Sequence, residues 1–132
     1  MQHIAIDLGG RESQICVREP DGTIVEERRC PTVKLGSYLE KRDKSRVVME
    51  TTSEAFAIAD LALAAGHEVR VVPASLVRAL GVGERHLKND VRDARKLSEM
   101  SCRMDVPTVH IPAKLARERQ QRLVARDALV RM

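Results

Sequence analysis

Four acidic residues stand where acids can do chemistry. Asp7 follows the apolar run Ile4-Ala5-Ile6, and Glu50 follows Val47-Val48-Met49. Asp90 and Asp93 lie within Lys88-Asn89-Asp90-Val91-Arg92-Asp93-Ala94. An acid at the end of a buried strand is partly desolvated, which costs free energy unless a cation or donor compensates it. Two strands pointing the same way in one sheet bring their ends to one edge. At a helix start, two acids three positions apart lie on the same side. Taken singly, each acid has a plainer reading: a turn or cap residue for Asp7 and Glu50, a complement to the helix dipole for the Asp pair. Together they offer the oxygen donors that hard cations such as Mg²⁺ or Mn²⁺ prefer. Two such ions about 4 Å apart can activate a nucleophile and stabilise a leaving oxygen in phosphodiester chemistry. Lys88 and Arg92 sit beside the acids, where they can contact phosphate or balance the carboxylates.

The elements that must position these acids are legible in the pattern. The apolar run ending at Asp7 predicts a first strand. Alternation over residues 13–18 predicts a second strand. Pro20-Asp21-Gly22 is a turn signal, and residues 23–28 complete a meander. Residues 33–42 predict a short helix or loop, and residues 45–50 a buried strand. Thr51, Thr52 and Ser53 offer N-cap oxygens to an Ala/Leu-rich helix over 54–65, which Gly66 closes. Residues 68–72 predict a strand stopped by Pro73, and residues 74–80 a short helix. Residues 81–88 read as a polar loop. Residues 90–103 predict a helix with Val91, Ala94, Leu97 and Met100 on one side. This order gives an α/β fold, a mixed sheet flanked by helices. A domain over 1–104 is expected, then a hinge and a basic helix over 105–132.

Composition narrows the classes. With 132 residues, 43% hydrophobic, the chain suits one domain. One Tyr, one Phe and no Trp leave few rings on which bases could stack. Three cysteines without C-x-x-C spacing argue against a zinc site or disulfide framework. No apolar run is long enough to span a membrane, and no signal peptide is evident, so a cytoplasmic protein is expected. The net charge of +4 is matched by residues 114–131 alone, where six Lys or Arg face two acids. Lys114, Arg117, Arg119, Arg122 and Arg126 are therefore candidate phosphate contacts. A solvated helix face is the plainer reading of that charge.

The ordered pieces resemble the N-terminal domain of the DEDD transposases of the insertion-sequence-110 family, whose fold is RNase H-like and similar to the RuvC resolvase. The matching stretches are those ending in Asp7 and Glu50-Thr51, the run Ala65-Gly66-His67-Glu68-Val69-Arg70-Val71-Val72-Pro73, and Lys88 to Ala94. The resemblance implies that Asp7, Glu50, Asp90 and Asp93 are catalytic and bind Mg²⁺ or Mn²⁺. It implies DNA strand cleavage and transfer in transposition, with DNA, a structured guide RNA and a homo-oligomeric assembly as partners. It also implies a C-terminal domain carrying a serine nucleophile, so that this chain is expected to be a fragment or truncated copy. Two stretches depart from the family pattern: Gly9-Gly10-Arg11 replaces a Ser-Lys pair, and Thr52-Ser53-Glu54-Ala55-Phe56 replaces Thr-Gly and an aromatic.

Two other readings compete. Ile6-Asp7-Leu8-Gly9-Gly10 is similar to the first phosphate loop of actin-like phosphotransferases, where glycines let the backbone approach phosphate; a simple hairpin turn is the alternative. The chain can also be read as a nucleic-acid-binding or assembly module whose acids are structural and which is inactive without its C-terminal domain.

Overall fold

The computed structural model describes residues 1–81 and 89–112. Five strands form one sheet in the order β3-β2-β1-β4-β5. They are β1 (His3–Asp7), β2 (Glu12–Arg18), β3 (Ile24–Pro31), β4 (Arg46–Glu50) and β5 (Glu68–Val72). β1–β2 and β2–β3 pair antiparallel, while β1–β4 and β4–β5 pair parallel. The helices are α1 (Leu35–Glu40), α2 (Ala55–Ala64), α3 (Ala74–Ala79) and α4 (Asp90–Arg103), with a 3₁₀ turn (Thr32–Lys34) before α1. This is the expected mixed sheet with helices on it.

Strand alternation divides the sheet into two faces. Ile4, Ile6, Val47, Met49, Val69 and Val71 pack with Leu35, Leu39 and Ile58 of α1 and α2. Ala5, Val48 and Val72 pack with Val77 of α3 and Leu97 and Met100 of α4. Each large side chain fully buried this way contributes roughly 1.5–3 kcal/mol. Even-numbered residues of β1 thus face α1 and α2, and odd-numbered ones face α4.

Several local expectations are refined. β3 runs to Pro31, beyond residue 28, because its pairing with β2 continues from Arg18↔Ile24 to Glu12↔Pro31. The N-cap oxygens expected of Thr51, Thr52 and Ser53 are not used as caps. Glu54 occupies the N-cap position of α2 with no side-chain cap, and Thr51 Oγ1 instead donates to the Val72 carbonyl at 2.9 Å. Gly66 closes the α2 end with φ of 89°, a left-handed conformation open to glycine. After α4 the chain returns to the sheet edge: Val106 is buried, and the Val109 N–H donates to the Val71 carbonyl at 2.7 Å. Among the described residues no helix is long and apolar enough to cross a membrane. The basic helix expected at 114–131 lies outside the described residues, as do Lys88, Lys114, Arg117, Arg119, Arg122 and Arg126.

Candidate functional site

The two strand-end acids share an edge and a face. Ala5 lies opposite Val48 in the parallel ladder. The paired register ends there, two residues short of Asp7 and Glu50, which stand at the same end of these adjacent parallel strands. Ala5 and Val48 both belong to the α4 face, and alternation by two keeps Asp7 and Glu50 on it. Neither acid is fully buried.

α4 lies antiparallel to β1 across this face, and its register follows from its serines. Ser101 Oγ and His3 Nδ1 are hydrogen-bonded at 2.6 Å. Ser98 Oγ donates to Cys16 Sγ at 3.3 Å and accepts from Arg18 Nε at 2.7 Å, and Cys16 pairs with Ala5. From His3 to Asp7 a strand rises about 13 Å, and from Ser101 back to Asp93 a helix rises about 12 Å. Asp93 is therefore brought level with Asp7. It is 4% exposed, against the sheet.

Asp90 is placed differently. Its side chain is 52% exposed, and its Oδ2 lies 3.5 Å from Arg29 Nη2, which also reaches Glu12 through Nη1 at 3.5 Å. The two Asp residues were expected on one side of the helix. Three residues turn an α-helix by about 300°, leaving the pair roughly 60° apart. That suffices for Asp93 to face the sheet and Asp90 to face outward toward β3. Among the described residues, no group of three His, Cys, Asp or Glu stands close enough to share a metal ion. Asp7, Glu50 and Asp93 thus lie toward one edge and on one face without closing to within reach of a shared ion, and Asp90 stands at the rim beside Arg29. The donor chemistry fits a hard divalent cation, since every candidate ligand is a carboxylate on a rigid element.

The supporting residues include some that the sequence pattern did not single out. Asn89 caps α4, its Oδ1 accepting from the Arg92 N–H at 3.2 Å; an Asn just before the first helical residue is the signal that could have found it. Gln14 pairs with Asp7 across the β1–β2 ladder and is 6% exposed. Thr52 Oγ1, two residues after Glu50, is buried with no hydrogen-bond partner among the described residues. No sequence signal marks either. Arg92 is exposed on the first turn of α4. The Gly9-Gly10 turn is satisfied internally: the Gly9 N–H donates to Ser13 Oγ at 3.2 Å, and Thr32 Oγ1 donates to the Gly9 carbonyl at 2.7 Å. Those groups serve the hairpin, which favours the turn reading over a phosphate loop.

Over residues 4–132 the chain matches the transposase family of the DEDD type named for insertion sequence 110. Among solved structures it is similar to T. thermophilus RuvC in complex with Holliday junction substrate. The two are 11% identical, with a TM-score of 0.53 over 75% of this chain and 90% of that one. At that identity the likeness speaks for the fold, which is RNase H-like. No curated protein matches the chain.

Proposed function

The chain belongs to the DEDD transposases of the insertion-sequence-110 family, and from that premise we propose that Asp7, Glu50, Asp90 and Asp93 are its reactive carboxylates and that they hold Mg²⁺ or Mn²⁺. The family makes it a nuclease-type domain acting in DNA transposition and recombination. The observation that supports the residue assignment is that Asp7 and Glu50 end adjacent parallel strands on the α4 face, at the end of the sheet toward which α4 carries buried Asp93.

Each residue has a role that its position supports. Asp7 and Glu50 would present oxygens from the same end of two adjacent strands, two residues past their last paired position. Asp93 closes the site from the helix side. Asp90, at the rim, completes the set by leaving Arg29, an exposed ion pair whose loss costs little. A bound divalent cation would supply Lewis acidity at a phosphodiester and offset the crowding of like charges. Arg92 and Lys88, beside the Asp pair, would hold the DNA backbone, and Lys114, Arg117, Arg119, Arg122 and Arg126 would extend that contact. The finer partners, a structured guide RNA and further copies of the chain, and a cytoplasmic setting are supported by the family alone. We also propose a catalytic domain over 1–104 followed by a segment over 105–132, whose first residues pack back on the sheet through Val106 and Val109.

The test is Mn²⁺ binding followed by the electron paramagnetic resonance of free Mn²⁺. The full chain should bind it, and Asp7→Asn and Glu50→Gln should each weaken binding at least tenfold. Equal affinity in all three would overturn the assignment. One observation favours a second reading, a metal-free binding or assembly module: Asp90 is engaged by Arg29 and no three ligands converge among the described residues. Wild-type binding no better than that of Asp7→Asn would support it.

A further inference from the structure

The sheet face opposite the carboxylates carries a basic groove that the proposed reaction does not use. It lies between β3 and α1, has a volume of about 380 Å³, and is lined in part by Glu26, Arg28, Lys34, Tyr38, Lys41 and Arg42. Cys30, in step with Glu26 and Arg28 along β3, packs with Leu35 and Leu39 of α1 in the core on that face.

The charges are not balanced. Glu26 is the one acid of the lining, and it is already engaged. It accepts hydrogen bonds from the Tyr38 hydroxyl and from Arg42 Nη1, the latter at 2.8 Å. Arg28, Lys34 and Lys41 are exposed, and none of the three forms an ion pair among the described residues. Three uncompensated cations in a concavity focus a positive potential. The guanidinium carbons of Arg28 and Arg42 each lie 5.3 Å from the Tyr38 ring centroid, an arrangement that orients them before any ligand arrives.

The shape selects a polyanion over a small one. Lys41 and Arg42 also line the adjoining cleft, where with Lys44 they make three cations against the acids Glu19 and Asp43, so a weaker positive excess continues past the end of α1. Tyr38, the single ring there, is covered by the two arginines and is not free to stack on a base. Backbone contact without base stacking is what remains.

We propose that this track is a second nucleic-acid site, which grips the sugar-phosphate backbone of a helical DNA or RNA segment other than the strand held at the carboxylates. The proposal rests on the chain's reading as a nucleic-acid enzyme for the identity of the polyanion, and on the groove's own charges for its location.

The experiment measures anisotropy of a labelled 20-base-pair DNA duplex and a labelled RNA stem-loop on the full chain, in EDTA, across a KCl series. At about 0.9 units of log–log salt slope per phosphate contact on duplex DNA, Arg28→Gln/Lys34→Gln/Lys41→Gln should lower the slope by about 2–3. The Lys34→Gln/Lys41→Gln pair, which leaves the Tyr38 stack intact, should lower it by about 1–2. A drop with the duplex alone assigns the track to DNA, a drop with the stem-loop alone assigns it to RNA, and a drop with both assigns it to backbone in general. Unchanged slopes with both probes, in variants that melt like the parent, would overturn the site. The Lys34→Gln/Lys41→Gln pair should bind Mn²⁺ as the parent does, because neither lysine lies on the carboxylate face. Loss of Mn²⁺ binding in that pair would mean that the groove charges act through the carboxylate edge, and would overturn a separate site.

Discussion

Nδ1 of His3 and Oγ of Ser101 meet at 2.6 Å across 98 positions of the chain. That bond pins the far end of α4 to the start of β1, and the length of the helix then delivers Asp93 to the level of Asp7. The burial of His3 gives the fold a pH dependence as well. Partial burial pushes the His3 pKa below its ordinary value of 6.5, and the nearby Arg46 charge adds to the shift.

A depressed histidine pKa means that the unfolded chain binds the proton more readily. The stabilisation from neutral His3 is therefore fully present above pH 6.5 and is lost as pH falls from there through the lower, folded-state value. Melting temperature should drop between pH 7 and pH 5, and the drop should be smaller in His3→Gln. Parallel melting profiles for the two proteins would contradict this assignment.

Gly9 and Gly10 should respond differently to alanine. A Cβ on Gly9 would sit 2.1 Å from the Glu12 carbonyl oxygen, whereas Gly10 has nothing within 4 Å. Gly9→Ala should cost on the order of 1–3 kcal/mol through forced backbone movement, measured by urea unfolding. Gly10→Ala should stay within about 0.5 kcal/mol of the parent. Equal losses at both positions would mean that the turn is shaped otherwise.

Arg29 is predicted to compete with metal for Asp90. Both partners are about half exposed and 3.5 Å apart, a geometry worth about 0–1 kcal/mol. Arg29→Gln should therefore tighten Mn²⁺ binding modestly, by up to about fivefold, in a calorimetric titration. Weakened binding would show that Arg29 supports the site and does not restrain it.

Millimolar Mn²⁺ should raise the melting temperature of the full chain, because a ligand that binds the folded state alone stabilises it by mass action. At a concentration 100 times the dissociation constant the gain is about 2.7 kcal/mol. Asp7→Asn should remove that gain. The same rise in the variant would mean that the ion binds elsewhere.

What could be read from the residues was whatever local patterning decides. β5 and α4 fall where apolar spacing, Pro73 and the Asp90 start predict them. The acids Asp7 and Glu50 stand out because each breaks an apolar run. Relationships set by distant partners were not legible. β3 reads as polar over Glu26-Glu27-Arg28-Arg29, and only its ladder with β2 extends it to Pro31. Thr51 has the chemistry of a cap, but the Val72 carbonyl on the neighbouring strand takes its hydroxyl. The divergence of Asp90 from Asp93 depends on which way α4 is rotated against the sheet, and burial of Ala94, Leu97 and Met100 fixes that rotation.

The most direct test of the carboxylate site is a crystal of the full chain grown with Mn²⁺, with anomalous scattering used to place the metal. The account predicts a peak within about 2.0–2.6 Å of carboxylate oxygens from both Asp7 and Glu50, with Asp93 also reaching the ion. A peak bound only to other residues, or none on this edge of the sheet, would contradict it.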